Sequence, residues 1–416
     1  MTLNIETVTP VERCTAGIVS QICGLAPLPQ PQMDYMLGYQ YRHVKEVIGD
    51  IVIDALTEQD ITLGTEYGGA GIDPRILLTK DPDDNYYEIC AKQLLELPWS
   101  KRKLKKLFNK HKMIISCLCE GGFYICRVLN ELAEEIADAR DIIYCYAVST
   151  NNTGDWYNLD SIPVNKRIEI PHFIYGVGTY YQKNNFIDTD HNVVKKYLVP
   201  VHKARKWRVE VLATLEGNGI LADSDWSLHH IAKDKKVSSN GFNSFGQRYR
   251  YSFLDSPGLD NILHETVNES SVANAFIDKH KDILPKSLHD SKPINFSDHM
   301  DLNITWKDYE WYIGLETHCD KFVITEKCLK GFALGVPSII ISDKNFNNYL
   351  SSFGFKIDGN YDYADTLAER VKLACDFIKN NKGDKDIVKH NYELLNNNEF
   401  LASLIVGPLV KLKRDM

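Results

Sequence analysis

The sequence lacks any apolar run long enough to cross a bilayer, since its longest apolar stretches are short segments such as Pro337–Ile341. The opening residues, MTLNIETVTP, have neither the basic start nor the apolar core of a secretory signal. None of the ten cysteines forms a CxxC pair, which argues against a structural zinc site, and a disulfide framework is unusual in a chain this long. We therefore expect a soluble, cytoplasmic protein.

The chain also lacks an overall excess of positive charge. It carries 48 Lys and Arg against 56 Asp and Glu, for a net charge of −8, which weighs against a duplex-binding protein without excluding one. One segment departs from this balance, because Lys101–Lys112 contains seven basic residues and no acid. Leu104, Leu107 and Phe108 recur there at helical spacing and predict an amphipathic helix with a solvated basic face. The alternative is a surface that binds the phosphates of duplex DNA through Lys101, Arg102, Lys103, Lys105 and Lys106.

Repeats and low-complexity segments are absent, and the 416 residues suggest two or three domains. Met113–Cys119 is an almost unbroken apolar run, typical of a strand buried on both faces. Phe123–Asp138 follows with helical periodicity, and Asp141–Val148 is a second strand, so the three predict a βαβ unit.

A second α/β block begins at Trp311. Trp311–Thr317 predicts a strand, Thr325–Leu334 a helix, and Pro337–Ile341 another strand. We expect an α/β fold with two Rossmann-like domains that face each other across a cleft. The predicted divisions are an N-terminal extension over 1–110, a first Rossmann-like domain over 111–295, and a second Rossmann-like domain over 296–416.

Local apolar patterns predict further helices and strands. Helices are expected at Tyr41–Leu56, Lys203–Glu216, Val272–His280, Phe346–Phe353, Tyr363–Lys379 and Asp386–Asn396, and strands at Tyr197–Val201 and Phe355–Ile357. The turn chemistry of Asp81–Asn85 predicts a surface loop.

The segment Gly314–Ile341 holds the densest group of polar residues near a strand end. Thr325 is placed to cap the following helix, whose N-terminus attracts anions. Lys327 would add a cation suited to a diphosphate, although a lysine in the first turn is otherwise unfavourable with the helix dipole. Glu326 could accept hydrogen bonds from ribose hydroxyls, and Glu316 could hold another part of a ligand. The alternative is a plain helix cap with a solvated lysine.

Other nucleotide and metal motifs are weak or missing. There is no Walker loop and no GxGxxG, and Gly68–Gly71 lacks the Lys-Ser/Thr of a P-loop. Two pairs match the DxD metal clamp of a GT-A transferase, Asp188 with Asp190 and Asp223 with Asp225, but both are expected to lie in turns.

The segment VITEKCLKGFALGVPSIII, from Val323 to Ile341, resembles the donor-binding segment of α-1,3-fucosyltransferases. With the following Tyr349–Lys356 (YLSSFGFK), it also resembles bacteriophage-encoded glycosyltransferases. The resemblance covers 306–358 well, is weak before Tyr197 and is absent before Lys112. The fucosyltransferases carry FEN on the preceding strand where this chain has LET, so Thr317 replaces their asparagine.

That resemblance implies a GT-B-type glycosyltransferase that uses a nucleotide-diphosphate sugar and needs no metal. It implies that the domain over 111–295 binds the acceptor and that the domain over 296–416 binds the donor. It implies that Lys327 binds the diphosphate, that Glu326 contacts the ribose, and that Glu316 is the family's glutamate before the TEK segment. It further implies a diphosphate-binding arginine, for which Arg205 and Arg208 are the candidates. The acceptor would be a hydroxyl, such as that of a hydroxymethylcytosine-type base of phage DNA in the host cytoplasm, or else of a glycan, lipid or protein. A non-catalytic module that binds a nucleotide or a partner is the remaining alternative.

Transfer to a hydroxyl needs a general base. Glu120 ends the Met113–Cys119 strand in front of two glycines that would let a ligand approach, and Asp155 in the loop after the next strand is a second candidate. Glu120 could equally cap the helix that follows it.

Overall fold

The structure is a computed structural model, and it describes residues 2–8, 18, 38–64, 74–91, 94, 99–118, 123–137, 139, 141–146, 166–181, 193, 195–201, 205–228, 270–284, 286, 288, 308–316 and 324–416. The chain divides into two compact units. The first comprises residues 1–183 together with 395–416, and the second comprises 184–394.

The described strands form two sheets. They are β1 Leu3–Thr7, β2 Ile61–Gly64, β3 Tyr86–Cys90, β4 Lys112–Cys117, β5 Ile142–Tyr146, β6 Arg167–Glu169, β7 Lys195–Val199, β8 Ser224–Trp226, β9 Tyr309–Leu315 and β10 Ser338–Ile341. The first unit has a six-stranded sheet in the order β2-β1-β3-β4-β5-β6, and the second a four-stranded sheet in the order β10-β9-β7-β8. Every described strand pair in both sheets is parallel.

Helices connect most of these strands. They are α1 Gly38–Glu58, α2 Pro74–Leu77, α3 Lys101–Lys110, α4 Phe123–Ala137, α5 His172–Tyr181, α6 Lys206–Gly217, α7 Ser271–His280, α8 Glu326–Ala333, α9 Phe346–Ser352, α10 Leu367–Asn380, α11 Lys385–Leu395 and α12 Asn398–Asp415. None of the helices in the described part of the chain combines the length and the apolar character that a membrane span needs.

Each unit has its own apolar core. In the first, Leu104, Leu107 and Phe108 of α3 pack with α4 residues against β4 and β5. In the second, the sheet packs against α6, α7 and α10, with Trp311 fully buried near the centre. Apolar side chains of both sheets are buried away from water, which accounts for the near-continuous apolar composition of β4 and β10. Five cysteines, Cys90, Cys117, Cys145, Cys328 and Cys375, are buried and form no disulfide, as their apolar surroundings predicted.

The architecture confirms the predicted α/β class, but the chain divides differently from the predicted boundaries. Strands β1 to β3, from the segment taken as an extension, pair into the same sheet as β4. Strands β7 and β8, assigned to the first domain, pair with β9 in the second sheet. The reason is hydrogen bonding across distant segments, such as Tyr86↔Lys112 and Tyr197↔Trp311, which local sequence patterns do not reveal.

Two local differences have clear causes. Phe355–Ile357 is not a strand, because the Lys356 backbone pairs with the Asn391 side-chain amide, which accepts from the Lys356 N–H at 2.8 Å and donates to its carbonyl at 2.7 Å. Helix α12 was not predicted. It returns to the first unit, where the Lys413 ammonium donates to the Gln59 carbonyl oxygen at 2.6 Å.

Candidate functional site

The predicted donor-binding residues follow two adjacent strands of the second sheet, β7 and β9. From β7 the chain moves outward to β8, and from β9 it moves outward in the opposite direction to β10. In open α/β sheets, the carboxyl ends of the strands at such a reversal are where ligands bind. Arg205 and Arg208 come after β7, while Glu316 and the start of α8 come after β9. The sheet therefore brings both predicted groups to one edge.

Glu316 lies directly after β9 and is completely buried. Its Oε1 accepts from the backbone N–H of Thr325 at 3.0 Å and of Cys328 at 3.2 Å, and its Oε2 accepts from the Thr325 hydroxyl at 2.6 Å. Since the N-terminus of a helix carries unsatisfied N–H groups and a partial positive charge, this carboxylate supplies the anion that α8 attracts. The contacts give Glu316 an internal role, joining β9 to α8.

Thr325 is the N-cap of α8, as its position in the sequence predicted. Its backbone is extended, and its hydroxyl oxygen accepts from the Lys327 N–H at 3.4 Å. The Lys327 ammonium lies 3.5 Å from the same oxygen, and the residue is only half-buried. The hydroxyl proton of Thr325 is already donated to Glu316, so the group that the first turn of α8 offers to a phosphate oxygen is the partly exposed Lys327 ammonium.

Arg208 is the arginine that the structure places in contact with Glu316. It is buried on α6, and its Nε donates to the Glu316 carbonyl oxygen at 3.1 Å. Arg205 is the N-cap of α6 and is half-buried, and its guanidinium lies 5.8 Å from the centre of the Trp207 ring. Between the two candidates, the described contacts favour Arg208 as part of the group at the sheet edge.

Close packing fixes α8 against β9. The Tyr312 hydroxyl donates to the Lys327 carbonyl oxygen at 2.7 Å. At Gly314, an added Cβ would lie 2.9 Å from that oxygen and 2.9 Å from the Tyr312 ring, and so only glycine fits without displacement. Tyr312 and Gly314 were not predicted as site residues. The sequence feature that could have indicated these two residues is a glycine within a strand of otherwise bulky residues.

The side chains of three predicted carboxylates lie outside the part of the chain that the structure describes. Glu120 and Asp155, the candidates for the general base, lie outside the described residues. Glu326 is the first residue of α8, but the role predicted for its side chain stays a prediction.

Asp223 and Asp225, the candidate metal clamp of a GT-A transferase, lie beside lysines. Asp223 pairs with Lys196 at 2.9 Å, and Asp225 accepts from Lys195 and, at 2.5 Å, from the Tyr309 hydroxyl. These partners belong to the starts of β7 and β9, the edge of the sheet opposite Glu316. Within the described residues there is no group of three or more His, Cys, Asp or Glu side chains that could hold a metal ion. Asp188 and Asp190 are not described.

One buried acid in the first unit was missed. Glu88 lies on β3, next to β1 at the reversal of strand order in the first sheet, and it is fully buried. Its carboxylate accepts from the Ile18 N–H. A single acid within the apolar run Tyr86–Ala91 was the available signal.

Comparisons with models of known protein families, with curated protein sequences and with solved structures find no match to this chain.

Proposed function

We propose that the second unit binds a nucleotide-diphosphate sugar and that the protein is a glycosyltransferase. The observation that supports this most directly is the convergence of Arg208, Glu316, Thr325 and Lys327 at the reversal point of a parallel sheet. The proposal includes the GT-B-like class, in which the second unit takes the donor and the first the acceptor.

In the proposed reaction, the bond between the anomeric carbon and the diphosphate oxygen breaks. The nucleoside diphosphate leaves with the electron pair, and the Lys327 ammonium stabilises its charge. The acceptor oxygen forms the new bond to the anomeric carbon, and its proton passes to a carboxylate, for which Glu120 and Asp155 are the candidates. Cationic side chains thereby take the part that a divalent metal has in GT-A transferases.

Glu316 supports this chemistry by positioning rather than by contact with the donor. Its carboxylate fixes Thr325, which in turn fixes the first turn of α8 and the direction of Lys327. Because the backbone of Lys327 is already fixed, less conformational freedom is lost when its ammonium binds a phosphate.

The experiment is thermal unfolding with GDP, UDP, CDP and dTDP, each with and without Mg²⁺. A ligand at about 100 times its dissociation constant adds about 2.7 kcal/mol of stability, so binding gives a clear rise in melting temperature. We expect one nucleotide to stabilise the protein, to do so without Mg²⁺, and to lose its effect in Lys327→Ala.

The matched control is Lys356→Ala, because Lys356 is an exposed lysine of the same unit, far along the chain from α8. This variant should keep the full shift. Release of nucleoside diphosphate from the corresponding nucleotide sugar then tests transfer itself. An unchanged shift in Lys327→Ala, or no shift with any of the four nucleotides, would contradict the proposal.

A further inference from the structure

Helix α3 carries a basic face and belongs to the first unit, whereas the candidate donor site belongs to the second. Its sequence, KRKLKKLFNK, has six Lys and Arg residues and no acid over ten residues. Leu104, Leu107 and Phe108 are buried in the core of the first unit, while Lys101, Arg102, Lys103 and Lys106 are exposed. At 100° per residue, Arg102, Lys106 and Asn109 form the central row of the exposed face, flanked by the other basic residues.

This arrangement carries an energetic cost within the fold. Basic residues three and four positions apart on a helix repel each other, as Arg102 and Lys106 do. A concentration of positive charge on α3, in a chain of net charge −8, favours an anionic partner.

The position of the helix adds to the argument. Helix α3 connects β3 to β4, two parallel neighbours in the first sheet, so it runs antiparallel to them. Its first turn, with Lys101, Arg102 and Lys103, therefore lies at the carboxyl edge of the sheet, where open α/β folds bind their ligands.

The exposed face indicates which polyanion fits. Its apolar residues are buried in the core, so the helix has no free apolar face to insert into a membrane, as interfacial helices do. The exposed face has no aromatic side chain on which unpaired bases could stack, as single-strand binders have. A row of cations without either feature matches the phosphate backbone of a duplex.

We propose that α3 is a docking surface for the phosphate backbone of duplex DNA. The interaction is independent of base sequence and depends on Arg102 and Lys106 at the centre of the face. If the protein is a glycosyltransferase as proposed above, DNA docking on α3 makes the acceptor a hydroxyl carried by DNA. Only this last step rests on the proposed function.

The test is the affinity for a short duplex DNA, measured by fluorescence anisotropy over about 50 to 200 mM salt, with no nucleotide sugar present. Each phosphate contact contributes about −0.9 to the slope of log affinity against log salt. The double variant Arg102→Gln/Lys106→Gln should therefore bind more weakly at low salt, with a slope shallower by about 1.8. The Asn109→Lys variant adds a charge to the central row and should steepen the slope by about 0.9.

Lys382→Gln/Lys411→Gln removes the same charge from exposed positions on other elements and should bind as the unaltered protein does. Lys327→Ala should also keep its DNA affinity, which separates this proposal from the donor site. The proposal is wrong if duplex DNA does not bind at low salt, or if both double variants lose affinity equally. It is equally wrong if α3 substitutions reduce binding only to single strands or to anionic lipid vesicles.

Discussion

The buried carboxylate of Glu316 accepts two hydrogen bonds from Thr325, one from its backbone N–H at 3.0 Å and one from its hydroxyl at 2.6 Å. Thr325 caps α8 with that same hydroxyl oxygen. One acid at the end of a strand therefore determines where the following helix begins and which way its first turn points. The relationship predicts that Glu316 contributes both to stability and to donor binding.

Glu316→Gln should lower the free energy of unfolding by about 3 kcal/mol. The substitution conserves size but replaces one acceptor oxygen with an NH₂ group that faces other donors in a buried site, and hydrogen bonds to charged groups contribute about 1.5–3 kcal/mol. Urea unfolding followed by circular dichroism measures the loss.

The control for that measurement is Glu310→Gln, the same substitution on the same strand. Glu310 is half-buried on β9, and a change there should cost less than about 0.5 kcal/mol. Equal losses in the two variants would show that the Glu316 contacts to α8 contribute nothing specific.

Gly314→Ala should destabilise the protein by about 1–3 kcal/mol, as overpacking of a filled site does. The new methyl group would meet the Lys327 carbonyl oxygen and the Tyr312 ring, each at 2.9 Å, and would displace the first turn of α8. We expect a lower melting temperature together with weaker binding of the stabilising nucleoside diphosphate.

Gly217→Ala gives the opposite expectation for the same chemical change. A Cβ at Gly217, the last residue of α6, would have no atom within 4 Å, and alanine is favoured over glycine in a helix by about 1 kcal/mol. A melting temperature raised by Gly217→Ala and lowered by Gly314→Ala confirms the packing argument, whereas a stable Gly314→Ala variant rules it out.

The sequence predicted the elements with strong local periodicity and missed those that depend on distant partners. Helix α4 and strand β4 follow from apolar spacing within their own residues. Strand β1 does not, because its five residues LNIET form a strand only between β2 and β3. The division into units has the same cause, since pairing between distant segments decides it.

The site was predictable in its residue types and not in its internal contacts. Thr325 as a helix cap follows from local chemistry, and the structure confirms it. The Glu316 carboxylate forms hydrogen bonds with α8 and is not exposed to a ligand. This arrangement depends on the close approach of α8 to β9, which Gly314 and Tyr312 allow. Local sequence gives no measure of that distance.

Asp225→Asn should reduce stability at pH 7 and leave diphosphate binding unchanged. Burial alone would raise the pKa of Asp225, but hydrogen bonds from Lys195 and Tyr309 outweigh it and hold the pKa below the ordinary value of 3.8. A lowered pKa means that the carboxylate stabilises the fold above that value and that the contribution is lost as the pH falls through the folded-state pKa.

The difference in unfolding free energy between Asp225→Asn and the unaltered protein should therefore be about 1 kcal/mol at pH 7 and shrink below about pH 4. Asp376→Asn, on the exposed side of α10, should show little difference at either pH. Loss of diphosphate binding in Asp225→Asn, restored by added Mg²⁺ or Mn²⁺, would instead favour a metal clamp.

Arg208→Lys and Arg205→Lys together decide which arginine belongs to the donor site. Lysine lacks the Nε that donates to the Glu316 carbonyl oxygen, and its compact ammonium cannot reproduce the planar fork of arginine. Arg208→Lys should therefore weaken binding of the stabilising nucleoside diphosphate about tenfold, equivalent to about 1.4 kcal/mol. Arg205→Lys keeps the charge of a residue with no described contact to Glu316 and should leave affinity within about twofold. Titration of the thermal shift measures both, and the reverse order of effects would assign the diphosphate to Arg205.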